Sequence, residues 1–293
     1  MQVSEKTNTL GFVGIGLMGS RMVARLLNAG FDVWVWNRSP DKCLPLITQG
    51  AKLANSLADI ANQCDIILLC LSDTLAVESV VFDEHGLATN LKNTQLIVDF
   101  SSITPDATRD FAKRLQAQGV QWIDCPVSGG VMGAEKGTLI LMAGGENTGI
   151  ERLRPIAQHL GQKLTHMGEV GTGQITKICN QMIVASNAVL IAETVALAAK
   201  AGVDASQLAP ALAGGFADSL PLQILVPRMA TNTFEPVQWK VQTLLKDLDN
   251  AVALAKENTS STPISALASQ LLRLHAATGA SLEDLSSVIR VFK

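Results

Sequence analysis

The sequence of 293 residues contains no tyrosine, and this absence excludes one way of reducing a carbonyl group. Short-chain and aldo-keto reductases protonate the carbonyl oxygen through a tyrosine phenol, which acts as a general acid. A chain without tyrosine cannot use that chemistry. If this protein transfers a hydride to a carbonyl carbon, another side chain supplies the proton.

Charged and aromatic residues are also scarce. Charged residues make up 17% of the chain and aromatic residues 4%, whereas hydrophobic residues make up 47%. Soluble domains usually contain about 25% charged residues. The low charged fraction therefore indicates extensive burial or a large apolar subunit interface. The formal net charge is only −3, so we expect neither a nucleic-acid partner nor an anionic membrane partner.

Metal sites, disulfides and targeting signals are not indicated either. The five cysteines include no C-x-x-C pair, and the four histidines form no ligand pattern, so we expect no metal. Cys125 and Cys179 are expected to be small buried apolar groups. The polar start of the chain lacks the apolar segment of a signal peptide. These features indicate a cytoplasmic protein.

One apolar segment, 178–201, is long enough to raise the question of a membrane span. A span would leave several polar side chains in lipid, among them Asn180, Gln181 and Glu193. We therefore expect a core helix and no membrane association.

The first half of the chain alternates short β-rich segments with helical segments. The predicted strands are 9–13, 33–36, 66–71, 96–99, 121–124, 138–143 and 163–167. The intervening segments 18–28, 41–49, 74–81, 105–118 and 148–160 have helical patterns. Apolar strands separated by amphipathic helices indicate a parallel sheet with right-handed crossovers.

The second half shows no strand pattern. A long helix is predicted over 174–201, followed by helices over 206–213, 237–257 and 263–277. A last helix is predicted to begin with Ser281 as its N-cap. The sequence thus predicts an α/β domain over 1–167 and an all-α domain over 168–293, joined by the long helix.

A glycine motif follows the first predicted strand and precedes a helix. Gly14, Gly16 and Gly19 form a G-x-G-x-x-G sequence that includes Leu17 and Met18. In this setting the pattern is typical of a dinucleotide site in a Rossmann-like, doubly wound sheet, where the helix N-terminus binds the pyrophosphate.

The end of the second strand indicates which dinucleotide is bound. NAD sites usually place a carboxylate there for the ribose 2′-hydroxyl. This chain has Asn37, Arg38 and Ser39 instead. A cation at this place favours the 2′-phosphate of NADP(H), with NAD(H) as the alternative.

Three further clusters complete a family pattern. They are Asp124-Cys125-Pro126-Val127-Ser128-Gly129-Gly130, the segment 168–181, and Lys246-Asp247-Leu248-Asp249-Asn250. With the glycine motif, these clusters resemble the β-hydroxyacid dehydrogenase family over essentially the whole chain. That family includes 3-hydroxyisobutyrate dehydrogenases, tartronate semialdehyde reductases and glyoxylate/succinic semialdehyde reductases.

The resemblance implies roles that agree with the chemistry of the residues. Lys177 lies near the start of an apolar helix, where desolvation and the helix N-terminus favour loss of its proton, and it is the expected general acid and base. Ser128, Gly129 and Gly130 would bind the substrate carboxylate. Ser102 would lie at the nicotinamide end of the cofactor, and Lys246 would reach either that end or the substrate.

Other positions leave alternatives open. Asn180 and Gln181 follow Lys177 by three and four residues, and either amide could contact the substrate. Trp239 stands where many relatives have phenylalanine, which changes the expected substrate pocket. Leu71 and Ser72 are expected to line the adenosine-ribose side of the cofactor.

Together these features predict an NADPH-dependent reductase of small aldehydes that bear a carboxylate, such as tartronate, succinic or glyoxylic semialdehyde. The first alternative is an NAD(P)-dependent 3-hydroxyisobutyrate-type dehydrogenase, and the second is a non-catalytic NADP-binding protein. The apolar helical half predicts a homodimer or homotetramer.

Overall fold

The computed structural model describes residues 8–293 and divides into two compact units. The first unit ends at Lys177, and the second comprises Ile178–Lys293. The boundary falls inside a long helix, ten residues beyond the division that the sequence predicts at residue 167.

The N-terminal unit is built on a nine-stranded sheet. Its strands are β1 (Leu10–Val13), β2 (Val33–Trp36), β3 (Lys52–Leu53), β4 (Ile66–Leu69), β5 (Leu96–Asp99), β6 (Gln121–Asp124), β7 (Val127–Ser128), β8 (Leu139–Gly144) and β9 (Gly161–Gly168). The spatial order β3-β2-β1-β4-β5-β6 is parallel throughout. Strand β8 pairs antiparallel with β6 and β7 and parallel with β9.

Helices connect the strands and continue into the second unit. They are α1 (Leu17–Asn28), α2 (Leu44–Ile47), α3 (Leu57–Gln63), α4 (Thr74–Phe82), α5 (Pro105–Gln116), α6 (Gly130–Lys136), α7 (Asn147–Leu160), α8 (Thr172–Lys200), α9 (Leu208–Leu212), α10 (Leu220–Thr231), α11 (Val241–Glu257) and α12 (Pro263–Ala277).

Both faces of the parallel sheet are buried, which explains why its strands are continuously apolar. In β4, Ile66 and Leu68 belong to one hydrophobic cluster, whereas Ile67 and Leu69 belong to another. Successive side chains of a strand point to opposite faces, so each strand contributes to both cores. The doubly wound architecture predicted from the sequence is confirmed.

Strand order reverses beside β1. The chain passes from β1 to β2 on one side and later returns to β4 on the other. In open α/β sheets, ligands bind in the crevice at the carboxyl ends of strands beside such a reversal. The fold therefore predicts a ligand-binding site at the loops after β1, β2, β4 and β5.

The C-terminal unit contains helices and no paired sheet strands among the residues that the structure describes. Its core packs Ala188 and Ala192 of α8 with Met229, Leu248 and Leu272 from the other long helices. Small residues on α8 allow its backbone to approach these partners closely. The predicted all-α character of this half is confirmed.

Burial of α8 is confined to one face. The helix is long and apolar enough to cross a membrane by length and composition, but only 39% of its most apolar window is buried. Ala185, Ala188 and Ala192 are buried, whereas Leu190 is 59% exposed. The expectation of a core helix therefore holds for one face only.

The sequence prediction was wrong at the end of the chain. Ser281 lies in a short 3-10 turn, and the last helical segment is a 3-10 helix over Leu285–Phe292. Asp284 is its N-cap, with its carboxylate accepting a hydrogen bond from the Ser286 N–H at 3.1 Å. Helices α3, α6 and α10 were also missed, and α11 begins four residues later than predicted.

Gly19 and Gly16 provide a matched test of the packing of α1 on β1. A Cβ atom at Gly19 would lie 2.1 Å from the Gly14 carbonyl oxygen, whereas one at Gly16 would meet no atom within 4 Å. We expect Gly19→Ala to cost about 1–3 kcal/mol of unfolding free energy through overpacking. Gly16→Ala should leave the melting temperature within about 1 °C of the original, since it creates no clash. Equal melting temperatures for the two variants in thermal unfolding would contradict this account.

Candidate active site

The turn after β1 is fixed from both sides. A Cβ atom at Gly14 would lie 2.3 Å from the Cys70 carbonyl oxygen, so the ends of β1 and β4 touch by backbone. The Ile15 N–H donates to Asn37 Oδ1 at 3.0 Å, and this bond joins the turn to the end of β2. Glycine at position 14 is required by this close approach.

The N-terminus of α1 has room and donors for an anion. Gly16 is the N-cap and provides no side-chain acceptor, and the first turn contains no acidic residue. The space beside Gly16 is open, and Leu17 is 71% exposed. Met18 is partly buried against the core. Uncapped N–H groups at a helix start bind phosphate readily, so these residues fit the pyrophosphate of a dinucleotide.

The loop after β2 presents a cation at the same edge. Asn37 Nδ2 donates to the Ser39 carbonyl oxygen at 3.0 Å, which fixes the backbone around Arg38. Arg38 is exposed and forms no ion pair within residues 8–293. Its guanidinium is therefore available to an anionic ligand.

The loops after β4 and β5 are tied together. The Leu71 N–H donates to Ser101 Oγ at 2.9 Å, and Ser72 Oγ donates to Asp73 Oδ2 at 2.7 Å. Ser102 is half-buried in the second of these loops. Leu71, Ser72 and Ser102 thus lie in loops at the carboxyl edge of the sheet.

The segment predicted to bind a carboxylate contains two adjacent glycines with positive φ. Ser128 ends β7, and Gly129 is the N-cap of α6, with φ of 126°. Gly130 has φ of 61°, and a Cβ atom there would meet nothing within 4 Å. Successive N–H groups in such a conformation form a concavity that suits a small anion.

Two buried carboxyl groups at the strand ends were not predicted as part of the site. Asp99 ends β5, Asp124 ends β6, and both are fully buried. Burial raises the pKa of Asp99 to about 7 and that of Asp124 to about 6. Asp99 Oδ2 has no hydrogen-bond partner in the described part of the chain. An acidic residue closing an apolar strand is the sequence signal that could have identified them.

Asp124 holds the start of α8, the helix that carries Lys177. Asp124 Oδ1 accepts the Gly171 N–H at 2.7 Å, and Oδ2 accepts the Gln174 N–H at 2.8 Å. Lys177 is half-buried one turn beyond Gln174. The predicted acid–base residue is therefore anchored to the same sheet edge as the glycine turn.

The C-terminal unit contains a chain of polar contacts among predicted residues. Asn180 Nδ2 donates to Gln181 Oε1 at 2.9 Å, and Gln181 Nε2 donates to Asp247 Oδ2 at 2.6 Å. Lys246 Nζ lies 3.6 Å from Asp247 Oδ1 and remains 46% exposed. Both polar ends of the Gln181 amide are thus engaged. Asn180 Oδ1 accepts no hydrogen bond from a residue within 8–293.

Trp239 is placed by backbone contacts. Its N–H donates to Asp284 Oδ2 at 3.3 Å, and its carbonyl oxygen accepts the Leu285 N–H at 2.7 Å. The ring is partly buried against the core of the C-terminal unit. Asp284 was not predicted to take part in this arrangement.

The two cysteines near the motifs differ. Cys125 is buried as expected, and burial raises the pKa of its thiol. Cys179 is exposed, so its predicted burial was wrong. It directly follows Ile178 on α8, which is buried. Among the described residues, no group of three or more His, Cys, Asp or Glu is placed to hold a metal ion.

Comparison with known proteins agrees with this geometry. Residues 9–168 match the NAD-binding domain of 6-phosphogluconate dehydrogenase, and residues 171–292 match the NAD-binding domain of NADP-dependent 3-hydroxyisobutyrate dehydrogenase.

Individual relatives extend along the whole chain. The chain is 37% identical to the 2-hydroxy-3-oxopropionate reductase of Escherichia coli over 97% of both chains. It is 34% identical to the 3-hydroxyisobutyrate dehydrogenase of Pseudomonas aeruginosa, over 97% of this chain and 98% of that one. The structure of Psf3 in complex with NADP+ and 2-OPP superposes with a TM-score of 0.87 at 25% identity, over 97% of this chain and 100% of that one.

Sequence and structure therefore agree on an oxidoreductase that uses a nicotinamide cofactor, and the chain belongs to the β-hydroxyacid dehydrogenase family.

Proposed function

We propose that this protein is an NADPH-dependent reductase of small aldehydes that bear a carboxylate, such as tartronate, succinic or glyoxylic semialdehyde. The observation that carries the proposal is Lys177 on the second turn of α8, a helix anchored at the carboxyl edge of the sheet. The likeness to a 2-hydroxy-3-oxopropionate reductase supports a substrate of this class.

The substrate carboxylate would bind to the Ser128 hydroxyl and to the N–H groups of Gly129 and Gly130. Their positive φ angles and the open space at Gly130 support this role. A bound carboxylate would also complete the N-terminus of α6, which has no side-chain cap. This placement would fix the aldehyde relative to the edge of the sheet.

Lys177 would protonate the carbonyl oxygen during reduction and take the proton back during oxidation. NADPH, when bound, supplies the hydride for the carbonyl carbon. The lysine ammonium also stabilises the negative charge that develops on the oxygen. The absence of tyrosine from the chain leaves no phenol to compete for this role.

Of the two amides after Lys177, Asn180 is the better candidate for substrate contact. Gln181 is engaged at both ends, by Asn180 and by Asp247. Its role would be to orient Asn180, whose Oδ1 is open to a substrate hydroxyl. Trp239 would form an apolar wall of the pocket in the C-terminal unit, and Lys246 would act at the nicotinamide end of the cofactor.

The cofactor would bind along the loops after β1, β2, β4 and β5. Gly14, Gly16, Leu17, Met18 and Gly19 would receive the pyrophosphate. Asn37, Arg38 and Ser39 would bind the 2′-phosphate, with Leu71 and Ser72 on the adenosine-ribose side and Ser102 near the nicotinamide. The exposed, unpaired guanidinium of Arg38 supports NADPH over NADH.

The alternative is an enzyme that oxidises a 3-hydroxyisobutyrate-type acid with NAD(P)+. The likeness to a 3-hydroxyisobutyrate dehydrogenase favours it, and the same residues would serve, with Lys177 as base. Comparing turnover of semialdehydes with turnover of 3-hydroxyisobutyrate and serine, with both cofactors, separates the two. A non-catalytic NADP-binding role remains only for a chain that turns over none of them.

Replacing Lys177 tests the assignment of the acid. Lys177→Ala should lower kcat for semialdehyde reduction by about 100- to 10,000-fold, the usual contribution of general acid–base catalysis. The dissociation constant for NADPH, measured by fluorescence titration, should stay within about 2-fold, since the ammonium acts on substrate. Lys163→Ala, at an exposed position on β9, is the control. Turnover of Lys177→Ala at the original rate would overturn the assignment.

Replacing Arg38 tests the cofactor preference. A charged hydrogen bond contributes about 1.5–3 kcal/mol, so Arg38→Ala should raise KM for NADPH by about 10- to 100-fold. KM for NADH should not change, because NADH has no 2′-phosphate. Arg154→Ala, at an exposed position of α7, is the control. A preference of the unmodified enzyme for NADH in steady-state kinetics would contradict the proposal.

We also propose that the protein is a cytoplasmic homodimer or homotetramer. Ile183, Leu190 and Leu197 recur every seven residues on α8 and are 64%, 59% and 67% exposed. Ile264, Leu267 and Leu274 form a second exposed apolar row on α12. Exposed rows of this kind on long helices suit a second copy of the chain.

Leu190→Glu tests the proposed subunit interface. A charge in an apolar contact costs several kcal/mol, so the variant should be monomeric near 31.0 kDa by light scattering, whereas the original should have at least twice that mass. Lys256→Glu, at an exposed position of α11, changes charge outside the apolar rows and should leave the mass unaltered. A monomeric original protein would contradict the proposal.

A further inference from the structure

The N-terminus of α8 is capped by a side chain at the end of strand β6. The first N–H groups of a helix have no acceptor within the helix. Here Asp124, at the end of β6, accepts two N–H groups from this segment, those of Gly171 and Gln174, at 2.7 and 2.8 Å. A carboxylate at a helix N-terminus also interacts favourably with the helix dipole. Asp124 thus fixes both the position and the local charge of the helix start.

Gln174 joins this helix start to the loop that contains Ser102. Its side chain is 1% exposed. Nε2 donates to the Ser101 carbonyl oxygen at 2.8 Å, and Oε1 accepts the Ile103 N–H at 3.3 Å. One amide therefore holds the backbone on both sides of Ser102. Lys177 follows Gln174 by three residues, on the next turn of the same helix.

Glycines allow this junction to form. A Cβ atom at Gly173 would lie 2.4 Å from the Met142 carbonyl oxygen and 2.8 Å from Asp124 Oδ2. A Cβ atom at Gly144 would lie 2.7 Å from Asp124 Oδ1 and 2.9 Å from the Gly173 nitrogen. Without side chains at Gly144 and Gly173, the helix start and the strands approach closely around the Asp124 carboxylate. Such a junction leaves little freedom to the first turns of α8.

We propose that Asp124 and Gln174 are positioning residues for the reductase reaction, holding the Lys177 turn in register with the Ser102 loop. The proposal rests on the proposed function, because it assumes that Lys177 transfers the proton and that Ser102 lies beside the nicotinamide. Neither residue contacts the reacting atoms. Asp124 acts through the helix N-terminus, and Gln174 acts through two backbone groups.

The two residues differ in charge, and this difference separates their effects. The Asp124 carboxylate counters the positive end of the helix dipole and therefore favours the protonated form of Lys177. Among residues 8–293, the charged or titratable groups around the helix start include Asp99 on β5, His166 on β9, Glu169 after β9 and Arg109 on α5. These four are retained in every variant below, and the charge of Asp124 also contributes to the raised pKa of Asp99.

Asp124→Asn tests the electrostatic part. The readout is the pH profile of kcat/KM for oxidation of a small hydroxyacid, whose acid limb reports the loss of the Lys177 proton. Removing the carboxylate disfavours the ammonium, so the limb should move to lower pH by about 1 unit. The kcat value should fall about 10-fold, because asparagine can accept only one of the two N–H bonds.

Gln174→Met tests the positioning part without a change in charge. The methionine side chain has a similar length and removes both hydrogen bonds. We expect kcat to fall about 10- to 100-fold with KM for NADPH within about 2-fold, and the acid limb to stay where it is. Asp204→Asn is the control, since this exposed carboxylate also caps a helical turn, at the Ser206 N–H, away from Lys177. It should change neither readout.

The outcomes distinguish this proposal from the proposed function. If Lys177→Ala is inactive but both variants keep the original kcat and limb, the positioning role is wrong and the proposed function stands. A second outcome is that both variants lose activity only in proportion to the unfolded fraction measured by circular dichroism, while the acid limb of the pH profile does not move. In that case Asp124 and Gln174 have a structural role only, and the proposal is wrong. If Asp124→Asn fails to fold, Gln174→Met tests the proposal by itself. A lower kcat with an unchanged KM for NADPH supports the positioning role, and an unchanged kcat contradicts it. If Lys177→Ala remains active, the proposed function itself fails.

Discussion

Parallel strands end at one edge of a sheet, and this constraint organises the N-terminal unit. The loops after β1, β2, β4 and β5 all leave from that edge, beside the place where strand order reverses. Strand β6 ends there too, and its Asp124 carboxylate receives the start of α8. The residues proposed to bind the cofactor and the lysine proposed as general acid and base therefore lie at one edge of the sheet, although they are far apart in the sequence.

Two carboxyl groups, those of Asp99 and Asp124, are buried at this edge of the sheet. A carboxyl group taken out of water resists ionisation, which is why burial raises the pKa values of Asp99 and Asp124. Asp124 is compensated by backbone N–H groups, whereas Asp99 has one oxygen with no partner among the described residues. A carboxyl group whose pKa is higher in the folded state than in the unfolded state destabilises the fold once it ionises. The two acids therefore reduce the free energy of unfolding as pH rises from about 4 to about 7. Groups with shifted pKa values cluster at functional sites, so these two buried acids favour a functional role over a purely structural one.

Much of this arrangement could be read from the sequence, because its signals are local. Alternating apolar strands and amphipathic helices predicted the doubly wound sheet, and the spacing of Gly14, Gly16 and Gly19 after β1 predicted the dinucleotide turn. Asn37 was predicted from its place after β2, but its bond to the Ile15 N–H depends on the pairing of β1 with β2. Local sequence patterns therefore predict a helix or strand and its ends, but not the residue that a given side chain contacts.

The rest depended on tertiary contacts that no spacing encodes. Asp124 caps a helix that begins 48 residues later in the chain, and Gln174 reaches a loop 71 residues earlier. Gln181 is occupied by Asp247, 66 residues away, so sequence alone could not choose between the two amides. The last helical segment was mispredicted because Asp284 caps it while also accepting from Gln238 and Trp239.

The most direct test of the account is the position of the Lys177 ammonium in a crystal structure with NADP+ and a small hydroxyacid. If Lys177 is the general acid and base, Nζ should lie within about 2.6–3.2 Å of the substrate hydroxyl oxygen, the distance that proton transfer requires. The contacts of Asp124 and Gln174 should persist in the complex. A substrate oxygen held by another ionisable side chain, with Lys177 turned away from it, would contradict the account.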